Sequence, residues 1–260
     1  MKISIKIFLV LLFFVCTNLS NANEIQSSEI ISHIGEHIPL NLYFTNSNGK
    51  RILLKNIINK PTVIDFAYYR CTGICIPLMT EITDVIGKVD LIPGKDYQVI
   101  SISVDNNETP NIANQKKNEL LGLISRKIDP SSWEFLTGDS LSIKKLTDAA
   151  GFHFYREGNT IIHKGVLIFV DKDGLICKYL QPGYNSRGDF AILPSEFQIA
   201  VLDAQEGRTS PSVLGLLQTC TGLKKGNIIV FFTLFITGIF TIVVSLLIIK
   251  KANPKKSNRK

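Results

Sequence analysis

Thr62-Val63-Ile64-Asp65-Phe66-Ala67-Tyr68-Tyr69-Arg70-Cys71-Thr72-Gly73-Ile74-Cys75 changes character part-way along. From Thr62 to Tyr69 it is apolar and aromatic apart from Asp65, the mark of a strand covered on both faces. Beyond the cysteines, Met79, Ile82, Val85, Ile86 and Val89 recur at helical spacing, and Pro93-Gly94 ends that element. A helix opening near Pro77 leaves both sulfurs in the turn at its N-terminus, where unpaired backbone N–H groups stabilise thiolate. A start one turn earlier places the two cysteines, at i and i+4, on one face. In either geometry Cys71 and Cys75 can converge on one metal ion or close a disulfide, and Arg70 adds a cation beside Cys71. A loop with so few residues between its cysteines removes little chain entropy when closed, which argues against a purely structural bond.

Working outward, Pro39 to Phe44 and Arg51 to Leu54 read as short strands joined through Asn46-Ser47-Asn48-Gly49. Gln98 to Val104 is a second buried strand. Pro110 to about Ile124 is a polar helix that opens after Thr109, with proline at its first position. Leu141 to Ala150 is a helix capped by Asp139 or Ser140. Gly165 to Val170 and Leu175 to Tyr179 form a hairpin across Asp171-Lys172-Asp173-Gly174, and Pro194 to Ala204 is a final helix. Strand, helix, strand, helix, then an antiparallel hairpin and a helix is the order of an α/β, thioredoxin-like domain, a mixed sheet flanked by helices on both faces.

The formal charge of +7 comes from the chain ends. Lys2 and Lys6 open the chain, and Lys250, Lys251, Lys255, Lys256, Arg259 and Lys260 close it, leaving 21 basic against 22 acidic side chains between them. No nucleic-acid-binding face is expected from that balance. The two lysines precede an apolar run, Ile7 to Cys16, and then Ser20-Asn21-Ala22, which predicts a secretory signal over residues 1–22 cut after Ala22. An uncleaved anchor is the alternative; lipidation at Cys16 is disfavoured by bulky Phe14 and Val15. Residues 23–206 form the domain and 207–227 a juxtamembrane linker. Residues 228–249 carry no charge and as a helix span about 33 Å, enough to cross a bilayer. The basic tail, 250–260, then lies in the cytoplasm by the positive-inside rule. The sequence thus predicts a cell-membrane protein with a single C-terminal anchor and its domain on the periplasmic or outer face, where thiols oxidise, bind metal or are kept reduced by a partner.

Four stretches together resemble the SCO (SenC/PrrC) family, thioredoxin-like, membrane-tethered proteins associated with copper delivery to cytochrome c oxidase. They are Tyr68-Tyr69-Arg70-Cys71-x-x-x-Cys75, Ser101-Ile102-Ser103-Val104-Asp105 with Thr109-Pro110, Trp133-x-Phe135-Leu136-Thr137-Gly138, and His163 ahead of Gly165 to Gly174. The subgroup resembled most has its membrane helix at the C-terminus. The resemblance implies copper, as Cu(I) or Cu(II), held by Cys71, Cys75 and His163. It also implies a partner: the copper-binding subunit of cytochrome c oxidase or another copper chaperone. Two thiolates and a neutral imidazole are a soft donor set suited to Cu(I). Cys71 and Cys75 could equally serve as the redox pair of a thiol–disulfide oxidoreductase that keeps copper-ligand cysteines reduced. His163 is needed only for metal; Asp65, if buried like the aspartate of thioredoxins, would matter more for exchange. Otherwise Asp65 is an edge or partly exposed strand carboxylate. Asp105 either orients the site from behind the ligands or caps its loop. Where the family has Cys-Pro at both cysteines, this chain has Cys71-Thr72 and Cys75-Ile76-Pro77, one proline fewer. His33, His37 and His153 read as structural, Met79 and Cys177 as core residues, and Cys220 as an inert or partner-facing thiol.

Overall fold

The computed structural model describes residues 28–209 apart from Thr72, Ile74, Asn159, Arg187 and Asp189. The leader expected at 1–22, the membrane segment expected at 228–249, the basic tail, Cys220 and the expected linker beyond residue 209 lie outside the described residues. Among the described residues no helix is long and apolar enough to cross a membrane.

The first hairpin pairs β1 (Tyr43–Asn46) with β2 (Arg51–Leu53), followed by a single helical turn, α1 (Leu54–Ile57). The first strand starts later than the apolar pattern suggests. Asn46 belongs to it, and its side-chain oxygen accepts from the N–H groups of Asn48 and Lys50 to close the turn. Then come β3 (Thr62–Ala67), α2 (Cys75–Lys88), β4 (Gln98–Ser103), α3 (Pro110–Leu121), β5 (Trp133–Thr137) and α4 (Ser140–Ala149). A small ribbon of β6 (Tyr155–Glu157) and β7 (Thr160–Ile162) leads into the hairpin β8 (Leu167–Val170) and β9 (Ile176–Leu180). A second ribbon, β10 (Gly183–Tyr184) with β11 (Phe190–Ala191), precedes α5 (Pro194–Gln205).

Seven strands make one mixed sheet in the order β2-β1-β5-β4-β3-β8-β9. β3, β4 and β5 run parallel, and β8 lies antiparallel on β3 with Leu167 opposite Asp65. Every residue of β3 and β4 is buried, because helices cover both faces. Val63 and Ala67 pack with Leu78, Met79 and Ile82 of α2, Leu120 of α3 and Phe197 of α5. Ile64 and Phe66 face the other way, toward Ile143 and Leu146 of α4 and Phe152. Since strand residues alternate faces, Asp65 points toward the side that carries α2.

Three details depart from the sequence pattern. Helix α2 begins at Cys75, a little before Pro77, which sits in the first turn where its missing N–H is no loss. Thr109 occupies the N-cap of α3 but makes no side-chain cap bond, whereas Asp139 caps α4 by accepting from the Ser142 N–H. Strand β5 and the two ribbons were not foreseen as elements.

Asp65 is 1% exposed, in the middle of the sheet. It is the buried carboxylate of the two alternatives, not an edge one. Ser101 Oγ donates to it at 3.1 Å while accepting from Trp133 Nε1 at 3.0 Å. Burial pushes its carboxyl up to about 7, with the Ser101 hydrogen bond opposing. Its pKa in the folded chain therefore lies above its unfolded value of 3.8. The folded state holds a proton that the unfolded state has lost, and stability falls as pH rises between those two values. At about 1.4 kcal/mol per pH unit, the contribution lost above pH 7 is roughly 4 kcal/mol. Asp65→Asn should remove this dependence. Urea unfolding at pH 5 and pH 8 is expected to show the variant gaining on the parent chain at the higher pH, and parallel losses in the two proteins would exclude this account.

Candidate metal and thiol site

The site forms where β3 runs out into the turn that opens α2. The N–H of Cys71 donates to the Tyr68 carbonyl at 2.9 Å, the N–H of Val104 to the Ala67 carbonyl at 2.8 Å, and Cys75 is the first residue of the helix. Because β8 pairs antiparallel with β3, the chain entering β8 passes the end of β3. This brings His163, 88 residues distant in sequence, to the cysteine turn. Cys75 Sγ lies 2.9 Å from His163 Nε2. All three side chains are buried: Cys71 is 6% exposed, Cys75 2% and His163 6%.

The imidazole's protonation follows from its neighbours. Nδ1 lies 3.1 Å from the Lys164 carbonyl, which can only accept, so Nδ1 carries the hydrogen. Nε2 then presents a lone pair toward Cys75. Burial lowers the His163 pKa, keeping the ring neutral, with the Lys164 carbonyl partly opposing. Burial also pushes the Cys75 thiol far above its ordinary value, and the neighbouring Cys71 thiol adds to the rise. Cys75 is thus a thiol that donates to imidazole at neutral pH. Cys71 Sγ accepts from the Gly73 N–H at 3.2 Å. Cys71, Cys75 and Cys177 are all free thiols. Among the described residues no group of three or more His, Cys, Asp and Glu side chains is gathered closely enough to hold a metal ion as it stands. Cys75 and His163 are in contact, and Cys71 lies close enough to Cys75 to raise its pKa. The donor chemistry itself, two sulfurs and a neutral ring nitrogen, fits a soft cation.

Arg70 is half exposed, and its guanidinium is engaged by two carboxylates. Nη2 donates to Asp105 at 3.2 Å and Nε lies 3.5 Å from Glu108. Of the two roles considered for Asp105, the loop cap is present. Oδ1 caps the loop by accepting from the Asn107 N–H at 3.1 Å, and the carboxylate also pairs with Arg70 and with Arg156. Asp65 lies deeper in the sheet and adds slightly to the upward shift at Cys75. Met79 is a core residue at 1% exposure, and Cys177 is fully buried in β9. His33 bonds the Ala149 carbonyl through Nδ1, while the backbones of His37 and His153 join Leu175 and Glu29.

Residues 36–193, most of the described chain, match the SCO1/SenC family. The chain belongs to that family. A SCO1 protein homolog of Bacillus subtilis (strain 168) is 28% identical over 142 residues, 52% of this chain and 69% of the relative. A candidate electron transfer protein from Aquifex aeolicus VF5 is similar in structure with a TM-score of 0.58 and 26% identity, covering 67% of this chain and 95% of its own. ScoI of Bradyrhizobium japonicum, solved with copper bound, is 25% identical and covers 66% of this chain and 98% of its own, at a TM-score of 0.45. The likeness to the Aquifex protein supports the thioredoxin-like fold of this SCO1/SenC domain.

Two residues of the site were missed in the sequence: Glu108 and Arg156. The Glu108 side chain has no exposed surface. Oε2 accepts from the Tyr69 N–H at 3.0 Å and from Ser103 Oγ at 2.6 Å, and Oε1 accepts from the Arg70 N–H at 2.8 Å. The base of the cysteine turn hangs on this carboxylate. The Tyr69 hydroxyl adds a second tie, lying 2.7 Å from the Ser101 carbonyl and accepting from the Leu136 N–H at 3.1 Å. The available signal was a carboxylate just before Thr109-Pro110, close behind Asp105 in a turn after a buried strand. Glu108→Ala would take the acceptor from two backbone donors, the N–H groups of Tyr69 and Arg70, and leave the Ser103 hydroxyl with only the Asp105 backbone. We expect a loss of about 2–4 kcal/mol in urea unfolding, and faster amide exchange at Tyr69 and Arg70 than at β8. Equal acceleration at both places would show that Glu108 supports the whole sheet and not the turn.

Proposed function

We propose that this protein binds one copper ion as Cu(I) through Cys71, Cys75 and His163 and delivers it during assembly of a copper centre of cytochrome c oxidase. The recipient is the copper-binding subunit or a second copper chaperone. The observation that carries this reading is the 2.9 Å approach of His163 Nε2 to Cys75 Sγ, with the ring's hydrogen held on the far nitrogen by the Lys164 carbonyl. A lone pair and a sulfur aimed at each other from separate elements are two donors of a low-coordinate site. Membership of the SCO1/SenC family supports copper as the cargo. We further propose that residues 228–249 anchor the chain, with the domain on the periplasmic or outer face and the tail in the cytoplasm, after removal of a signal over residues 1–22.

Copper here is cargo, and the protein's own residues control its entry. Cys75 must lose its proton to become a ligand, and the raised thiol pKa makes that loss depend on pH. Two thiolates, a neutral ring and Cu(I) sum to a net charge of −1, which the N-terminus of α2 favours. Arg70 is already balanced by Asp105 and Glu108 and supplies less than its position beside Cys71 suggests.

A second reading, thiol–disulfide exchange by Cys71 and Cys75 to keep copper-ligand cysteines reduced, is favoured by Asp65, a buried carboxyl with its pKa near 7 on the α2 side of β3. The reduced full chain, purified in detergent, is expected to take up one Cu(I) in competition with a chromogenic chelator. His163→Ala should weaken that affinity by about tenfold or more. Affinity should also rise with pH through the neutral range, by up to about tenfold per unit for each thiol that is protonated before binding. An affinity that is flat with pH and indifferent to His163→Ala would favour the exchange reading, and Asp65→Asn would then be expected to slow reduction of a disulfide substrate.

A further inference from the structure

His163 follows a ribbon that stands outside the main sheet. Among the described residues β6 and β7 pair only with each other, Tyr155 opposite Ile162 and Arg156 opposite Ile161. A two-stranded ribbon has little stability of its own, and Ile161, 4% exposed, supplies an apolar foothold for this one. Its polar attachment is a carboxylate on a different element. Asp105, in the loop after β4, has its side chain 2% exposed. Oδ1 accepts from Arg156 Nη2 at 2.8 Å, and Oδ2 accepts from Arg70 Nη2 at 3.2 Å. Arg70 directly precedes Cys71, and Arg156 lies in the ribbon that delivers His163. One buried carboxylate therefore joins the segment carrying the first sulfur to the segment carrying the imidazole.

We propose that Asp105 is a positioning residue that holds His163 at the cysteine pair by clamping the β6–β7 ribbon, through Arg156, to the cysteine turn, through Arg70. Charge favours the arrangement: two cations converge on a carboxylate whose burial would otherwise leave it unpaired, and charge-assisted bonds to buried groups are the stronger ones. The two guanidiniums are half exposed, at 47% and 43%, so the cationic limbs of the clamp face solvent while its carboxylate does not.

The inference rests on the copper reading for its purpose, but its test does not. In the reduced, copper-free full chain, His163 is expected to resist carbethoxylation by diethyl pyrocarbonate, measured by peptide mass spectrometry against His33, His37 and His153 as internal references. Asp105→Asn and Arg156→Met should each raise the His163 rate about tenfold, equivalent to about 1.4 kcal/mol, and leave the other three histidines unchanged. Asp105 also holds Asn107, so Arg156→Met, which cuts only the ribbon's limb from a half-exposed position, keeps the test clear of a folding defect. Parent-like protection of His163 in Arg156→Met overturns the proposal, as does a uniform rise across all four histidines. In a separate Cu(I) competition, the losses from Asp105→Asn and His163→Ala should fail to add, because each removes the same donor; full additivity overturns the clamp. An absence of Cu(I) binding by the parent chain would instead sink the copper reading and leave the protection result standing.

Discussion

The antiparallel pairing of β8 on β3 is the constraint from which the rest of the site follows. β3 delivers the cysteines at its C-terminal end, and β8 begins beside that same end because the register sets Leu167 against Asp65. A slip of one residue would turn Leu167 and Phe169 from the face they share with α2 to the other. The burial of these strands on covered faces holds that pairing in place. His163 reaches Cys75 as a consequence of core packing.

Burial sets the chemistry as well as the position. A thiol and an imidazole brought together in water would exchange a proton readily; here desolvation raises the Cys75 pKa and lowers that of His163, so both shifts favour the neutral pair. The pair remains uncharged until a cation compensates the thiolate. On the copper reading proposed above, entry of Cu(I) and departure of a proton would be linked steps, and two sulfurs with a neutral ring nitrogen would favour a cation that forms strong bonds to sulfur.

The elements built on continuous apolar runs or helical repeats were legible. β3, β4, α2, α4, the β8–β9 hairpin and α5 stand within a few residues of where periodicity and turn residues set them. β5 was harder because Glu134 interrupts Trp133-Glu134-Phe135-Leu136-Thr137, a half-buried residue in an otherwise buried strand. The ribbons are too short to show a period at all. At the site, the cysteines and His163 could be named from spacing and resemblance, but their electrostatic partners could not. Arg156 lies 51 residues from Asp105 and Glu108 lies 38 from Arg70, and nothing local marks a side chain for a distant ion pair. For the same reason Arg70 looked like a counter-ion for sulfur, when two carboxylates supplied by the chain after β4 hold it.

The sequence also lacks a proline that family members carry beside the cysteines, which leaves open how the turn keeps its shape. Its backbone donors answer the question. The N–H groups of Tyr69 and Arg70 are both taken by Glu108, and that of Gly73 by the Cys71 sulfur. A proline acts by fixing one φ angle; here the segment that leads into the first cysteine is held instead by an acceptor with no exposed surface. The base of the turn is held by hydrogen bonds to a carboxylate and its tip by a bond to sulfur. The stem that connects to β3 is tied a second time by the Tyr69 hydroxyl, which accepts from the Leu136 N–H.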